Sequence, residues 1–228
     1  ETGGHLSPAL ATAILEASDA MLGRVQGAPP AWLAGVTVAG LAERDAAVER
    51  ARGALESATH ALEAAESAQA ELAVLRDVLW AERPRALVTA VERCLALLGF
   101  DPAGEGRVRA AEGELLVEAA SSDGEVGMGP HYALRARLEA VIEHEQRAPR
   151  GLVVANGQRL LPPEERASVF DESLRVGAEA MRYALITAPE LFFTASAALE
   201  ALPPEALAKV RLRILTTGGL VELDDLLT

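Results

Sequence analysis

The run ELLVEAASSDG, residues 114–124, brings one carboxylate, Glu118, out of an apolar stretch and then turns small and polar. A carboxylate so placed holds a divalent ion or moves a proton only with partners, such as a second acid or a cation beside the reacting oxygen. The preceding run GRVR offers Arg107 and Arg109 rather than an acid. Downstream, Asp123 and Glu125 lie in a glycine-rich loop, and Arg135 and Arg137 lie on the next expected helix. A second polar group follows GLVVAN. Asn156, with Arg166 from NGQRLLPPEER, stands where open α/β sheets bind ligands, at the carboxyl ends of the strands. The same residues also read as structural: Asn156-Gly157 as a turn, and Arg166 as a loop cap or a partner of Glu165 or Asp171. His5, His60, His131 and His144 show no ligand spacing, and Cys94 lies among Val91, Leu95 and Leu98 as a buried free thiol. No lysine-bearing phosphate loop and no G-x-S-x-G elbow occurs.

The chain carries 21 basic and 34 acidic residues, a net charge of −13. That balance argues against broad nucleic-acid binding unless a local basic face overrides it. The densest arginines, Arg147, Arg150, Arg159 and Arg166, are interleaved with acids and read as a solvated surface. Aromatic residues are only 4 % of the chain, so the core must be built from Ala, Leu and Val. Lys209 is the only lysine, an arginine bias that suggests a GC-rich bacterial genome. One cysteine excludes an intrachain disulfide and a cysteine-cluster metal site. No apolar run approaches the ~18 residues of a membrane span and no signal peptide opens the chain, so no membrane partner and a cytoplasmic location are expected. The opening Glu-Thr-Gly-Gly, without methionine, reads as an excised fragment of a larger bacterial protein or a tag remnant.

The elements that must position these groups are legible from spacing. Residues 6–26 predict a helix after Ser7-Pro8, broken by Ala28-Pro29-Pro30, and Trp32, Leu33, Val36 and Val38 follow as an apolar link. Residues 40–82 predict one long helix, ~60 Å at 1.5 Å per residue. Its heptads place Leu41, Val48, Leu55 and Leu62 at a, Ala51, Ala58, Ala65, Leu72 and Leu79 at d, and Ala47, Ala54, Ala61, Ala68 and Leu75 at g. Such a stripe must dock, either on the N-terminal helix as a hairpin or on the same helix of a second chain as a coiled coil. Its width favours antiparallel packing within the chain, extended across a homodimer. The domain boundary is expected at Arg83-Pro84, giving residues 1–83 and 84–228. Beyond it come a helix at 85–98 and two strands, EGRVRA and ELLVEA, followed by a helix at 131–147 and the strand GLVVAN. Then come a helix at 163–181, the strand YALIT, a helix at 189–201, and a closing hairpin within KVRLRILTTGGLVEL across Gly218-Gly219. Alternating strands and helices predict an α/β sandwich around a mixed sheet.

Helix, hairpin, a strand bearing a carboxylate, then helix and strand: over residues ~84–223 this order resembles the restriction-endonuclease-like fold of the PD-(D/E)xK nuclease superfamily. In that superfamily an aspartate precedes a Glu-x-Lys run; here the run is VEAASS, with Glu118 in the glutamate place and Ala120 in the lysine place. The resemblance puts Arg107 or Arg109 where the aspartate is expected and Val88 at the helix position of a further glutamate. It implies a degenerate nuclease in which Arg107 fills the metal's charge niche and pairs with Glu118. Strand–Asn156, Pro163-x-x-Arg166 and the T-x-x-L-F segment Thr187, Leu191, Phe192 resemble related bacterial domains. The expected function is therefore a catalytically inactive, nuclease-like interaction or oligomerisation module. Its partner is a protein, or the chain itself through residues 40–82; nucleic acid is disfavoured by net charge. No cofactor is called for. The alternative is a metal-dependent nuclease whose site has migrated around Glu118, with Arg135 or Arg137 as a weak stand-in for the lysine and Mg²⁺ as its ion.

Overall fold

The computed structural model describes residues 8–21, 29–200 and 202–227. By packing, the chain divides into Glu1–Leu62 and Glu63–Thr228. In the first unit, α1 spans Pro8–Met21, and a 3-10 turn at Ala31–Gly35 precedes α2, Leu41–Ala73, which runs on into the second unit. The remainder of the helix expected over 6–26 lies outside the described residues. No residue of α2 is buried, and Leu41, Val48, Leu55 and Leu62 are 48 %, 48 %, 69 % and 58 % exposed. The described side chains of α1 are exposed as well, so α1 does not cover the α2 stripe as a hairpin would. Trp32, Leu33, Val36 and Val38 are likewise exposed.

The long helix ends earlier than its periodicity suggests. At Val74–Leu79 the backbone tightens to a 3-10 turn, where Leu75 and Val78 enter the core of the second unit. Arg83-Pro84 begins α3, Pro84–Leu97, within that unit. Pro84 suits the first helical turn, whose amide has no intrahelical acceptor. Leu87, Ala90, Val91, Cys94 and Leu95 recur at helical spacing and form the buried face of α3.

The second unit is a mixed α/β fold: one six-stranded sheet flanked by helices. Strands β1 (Asp101–Gly104), β2 (Arg107–Ala110) and β3 (Gly113–Ser121) form an antiparallel meander. Strands β4 (Arg150–Asn156), β5 (Ala184–Thr187) and β6 (Gly219–Leu220) add in parallel, in the order β1 to β6. Helices α4 (Gly129–Glu145), α5 (Glu172–Met181), α6 (Ala188–Leu199) and α7 (Pro204–Thr216) complete it. Strand alternation assigns the faces. Leu115, Val117, Leu152, Val154 and Ile186 pack with α3, α6 and α7, while Leu116, Val153, Ala155 and Leu185 pack with α4 and α5.

Three local expectations are corrected. The closing hairpin does not form: KVRLRIL alternates like a strand, but Val210, Ile214 and Leu215 bury one side of α7, and β6 pairs in parallel with β5. The helix expected over 163–181 is a 3-10 turn at Pro163–Glu165 and, after an extended stretch, α5. Asp171 starts α5 late by accepting the Leu174 amide at 2.7 Å, while Val126 bridges Phe170 beside it. Finally, Asp101–Gly104 forms a strand that its proline and glycine disguise, so Glu105-Gly106 is a turn. Among the described residues no helix is long and apolar enough to cross a membrane.

Candidate functional site

Glu118 shares the β3 face of Leu116 and Ala120 and points at α4. There Arg137 Nη1 donates to Glu118 Oε2 at 2.7 Å and to the Val117 carbonyl at 2.7 Å, and its Nη2 donates to the Glu105 carbonyl. Arg137 lies one helical turn from both Leu134 and Val141, the residues that fix α4 to the sheet, so the guanidinium is carried to the strand by the apolar face. The turn makes room for it: Glu105 and Gly106 have φ of 52° and 67°, and a Cβ on Gly106 would come within 2.6 Å of Arg137 Nη2. Gly106 is therefore demanded twice, by backbone conformation and by the approaching arginine.

Arg107 does not reach Glu118, contrary to the pairing the resemblance implies. Its Nη1 lies 2.5 Å from Glu145 Oε1 and 3.8 Å from Glu114 Oε1. Arg147 closes the network, 2.8 Å from each of Glu114 and Glu145, and Arg109 stands 3.4 Å from Glu114. Hydrogen bonds from Arg107 and Arg147 hold the Glu145 carboxyl below its ordinary pKa. Glu105, Arg107, Leu116, Arg137, His144 and Glu145 line a groove of about 350 Å³ between β2, β3 and α4.

A divalent ion does not fit this arrangement. One Glu118 oxygen already accepts from the Arg137 guanidinium, and Arg107 and Arg109 on the neighbouring strand are cations rather than a second acid. Among the described residues no group of three His, Cys, Asp or Glu is placed to hold a metal. Val88 is on α3, which packs on the opposite face of the sheet. Asp123 is 2.7 Å from Arg159, Glu125 is exposed, and Arg135 pairs along its own helix with Glu139 at 2.8 Å.

Asn156 and Arg166 do come together, but on the other face of the sheet from Glu118. Asn156 continues the Leu152–Val154 side of β4 and is fully buried. Arg166 Nη1 donates to Asn156 Oδ1 at 2.8 Å, while Nε donates to Leu161 O at 3.0 Å and Nη2 to Leu79 O at 2.7 Å. Burial lowers the Arg166 pKa. The glycine-rich loop joins this clamp: Gln158 N donates to Gly124 O at 2.8 Å and Arg159 N to Ser122 O at 3.1 Å. Arg166 thus ties the end of β4, the loop at Leu161 and the 3-10 turn at Leu79. Thr187 caps α6 by accepting the Glu190 amide at 3.2 Å, and Leu191 is buried beneath it.

His131 is buried, with Nδ1 2.9 Å from the Tyr183 hydroxyl, whose pKa burial pushes up to about 12. Cys94 is fully buried, and its thiol is pushed up to about 12. Glu114, Glu145 and Arg147 are the charged partners that spacing alone did not expose. Arg137 had a readable signal, a charge in phase with the apolar positions Leu134, Leu138 and Val141. Compared with known proteins, the chain matches no family model, no curated protein and no solved structure.

Proposed function

We propose that residues 84–223 form a nuclease-like α/β domain without hydrolytic chemistry, which serves as an interaction module, with α2 as its self-association arm. The order α3, antiparallel meander, carboxylate on the third strand, α4, then parallel β4 supports the restriction-endonuclease-like reading. The observation that carries the loss of chemistry is the Arg137–Glu118 pair at 2.7 Å, which spends the one acid of the motif on holding α4 to β3. Metal-assisted phosphodiester hydrolysis needs that acid turned to an ion and a water. The exposed Leu and Val of α2 supply the arm.

Titration calorimetry of the full chain with Mg²⁺ and Mn²⁺, beside Glu118→Ala, tests the first part. The expected result is the same heat for both proteins and no cleavage of single- or double-stranded DNA or RNA. Ion binding and cleavage that both vanish in Glu118→Ala would overturn it in favour of a migrated nuclease site. For the arm, light scattering should give a dimer mass for the full chain and a monomer mass for Leu55→Glu/Leu62→Glu; a monomer in both would refute self-association.

A further inference from the structure

We propose that two copies of this chain pair through α2 in antiparallel sense, Leu55 of each copy packing over the partner's Ala65. This rests on the self-association reading above and specifies its partner and direction. The face in question is the exposed stripe of Leu41, Val48, Leu55, Leu62 and Leu72, flanked by alanines.

Side-chain size selects the direction. In a parallel pair, equivalent residues meet: Leu55 with Leu55, Ala58 with Ala58. Layers would alternate wide and narrow along the helix, and two helices at one separation cannot fill both. In an antiparallel pair, a positions meet d positions. Leu55 then faces the partner's Ala65, Leu62 faces the partner's Ala58, and Val48 faces the partner's Leu72. The central layers each combine one large and one small residue. Ala47, Ala54, Ala61 and Ala68 along one flank let the helices approach closely.

Charge selects the same direction. The other flank reads Asp45, Arg52, Thr59, Glu66, Ala73. In antiparallel pairing this flank meets itself, so Arg52 lies beside the partner's Glu66, twice by symmetry. In parallel pairing it meets the alanine flank, and neither charge is answered. Among the described residues Arg52 pairs with Glu49, an exposed contact at 2.8 Å that can exchange partners.

Spin-label distance measurement on the full chain reads the direction. Labels go on Ala46→Cys and, separately, on Ser67→Cys, both on the outer face; Cys94 is buried and is not labelled. With the pair centred near residue 60, the Ala46 labels are offset by ~42 Å along the axis and the Ser67 labels by ~21 Å. The expected result is a clearly longer distance at 46 than at 67. Equal distances at the two sites would overturn the antiparallel arrangement while leaving self-association standing. A monomer mass with no dipolar signal would overturn both. In a second measurement, Arg52→Glu should weaken the dimer by roughly tenfold and Arg52→Glu/Glu66→Arg should restore it. Failure of the double variant to recover would also count against the register.

Discussion

Replacing Arg137 with methionine should destabilise the second unit without rearranging it. The side chain keeps its length and its apolar contact with α4, while three acceptors lose their donor: Glu118 Oε2 and the carbonyls of Val117 and Glu105. Each hydrogen bond involving a charged group is worth roughly 1.5–3 kcal/mol when buried. Here the Arg137 and Glu118 side chains are 34 % and 25 % exposed, so water replaces much of what is lost. The net loss should be about 2 kcal/mol, which lowers Tm by about 4–8 °C for a unit of this size. Urea unfolding followed by circular dichroism measures it, with an unchanged m-value as the sign that the folded state is intact. Glu118→Gln keeps an acceptor and should lose about 0.5–1 kcal/mol, and the double variant should show a coupling near 1 kcal/mol. An Arg137→Met stability within about 0.5 kcal/mol of the parent would place this pair among ordinary surface contacts, with no part in holding α4 to β3.

Arg166→Leu should release the clamp on Leu161, Asn156 and Leu79, losing about 2–3 kcal/mol and speeding proteolysis within residues 157–170; an unchanged digestion pattern would contradict it. Glu190 is half-buried against the Leu223 amide, and its pKa is raised by burial and by the nearby Asp224 and Glu222. A raised carboxyl contributes stability below its unfolded pKa and loses it as pH rises through the folded value. Glu190→Gln should therefore raise the urea midpoint at pH ~7 and lose that advantage near pH ~4. The carboxyls of Glu112 and Glu145 are lowered by hydrogen bonds from Arg211 and from Arg107 and Arg147. They act oppositely, so their contribution fades as pH falls through the ordinary carboxylate range, seen as a falling midpoint that Arg211→Gln flattens. Cys94 should ignore a thiol reagent at pH ~8 until urea unfolds the chain, then react as one thiol.

The strands that matter most were legible because they are buried on both faces. Runs such as LLV, GLVVAN and ALIT have no helical reading at that length, and the helices between them point to a mixed sheet, within which these strands pair in parallel. The long helix was legible from its heptads, but its end was not, since the tightening at Val74 depends on what Leu75 and Val78 meet. The strand reading of α7 failed because Val210, Leu212 and Ile214 fit period 2 as well as Val210 and Ile214 fit a helix; packing against β3 and β5 chose the helix. At the site, Glu118 stood out as a lone acid in an apolar strand. Its partner lies 19 residues away, and Glu114, Glu145 and Arg147 meet only after α4 folds back on β2 and β3. Gly157 shows the same limit: it reads as a turn residue, yet a Cβ there would come within 2.5 Å of the Val169 carbonyl, a closeness only the folded loop creates.

Crystals of the full chain grown in excess Mn²⁺ and read by anomalous scattering test most directly whether Glu118 serves an arginine rather than an ion. The expected result is no anomalous peak beside Glu118 and an Arg137 guanidinium still hydrogen-bonded to its carboxylate. A manganese ion bound to Glu118, with Arg137 swung away, would contradict it.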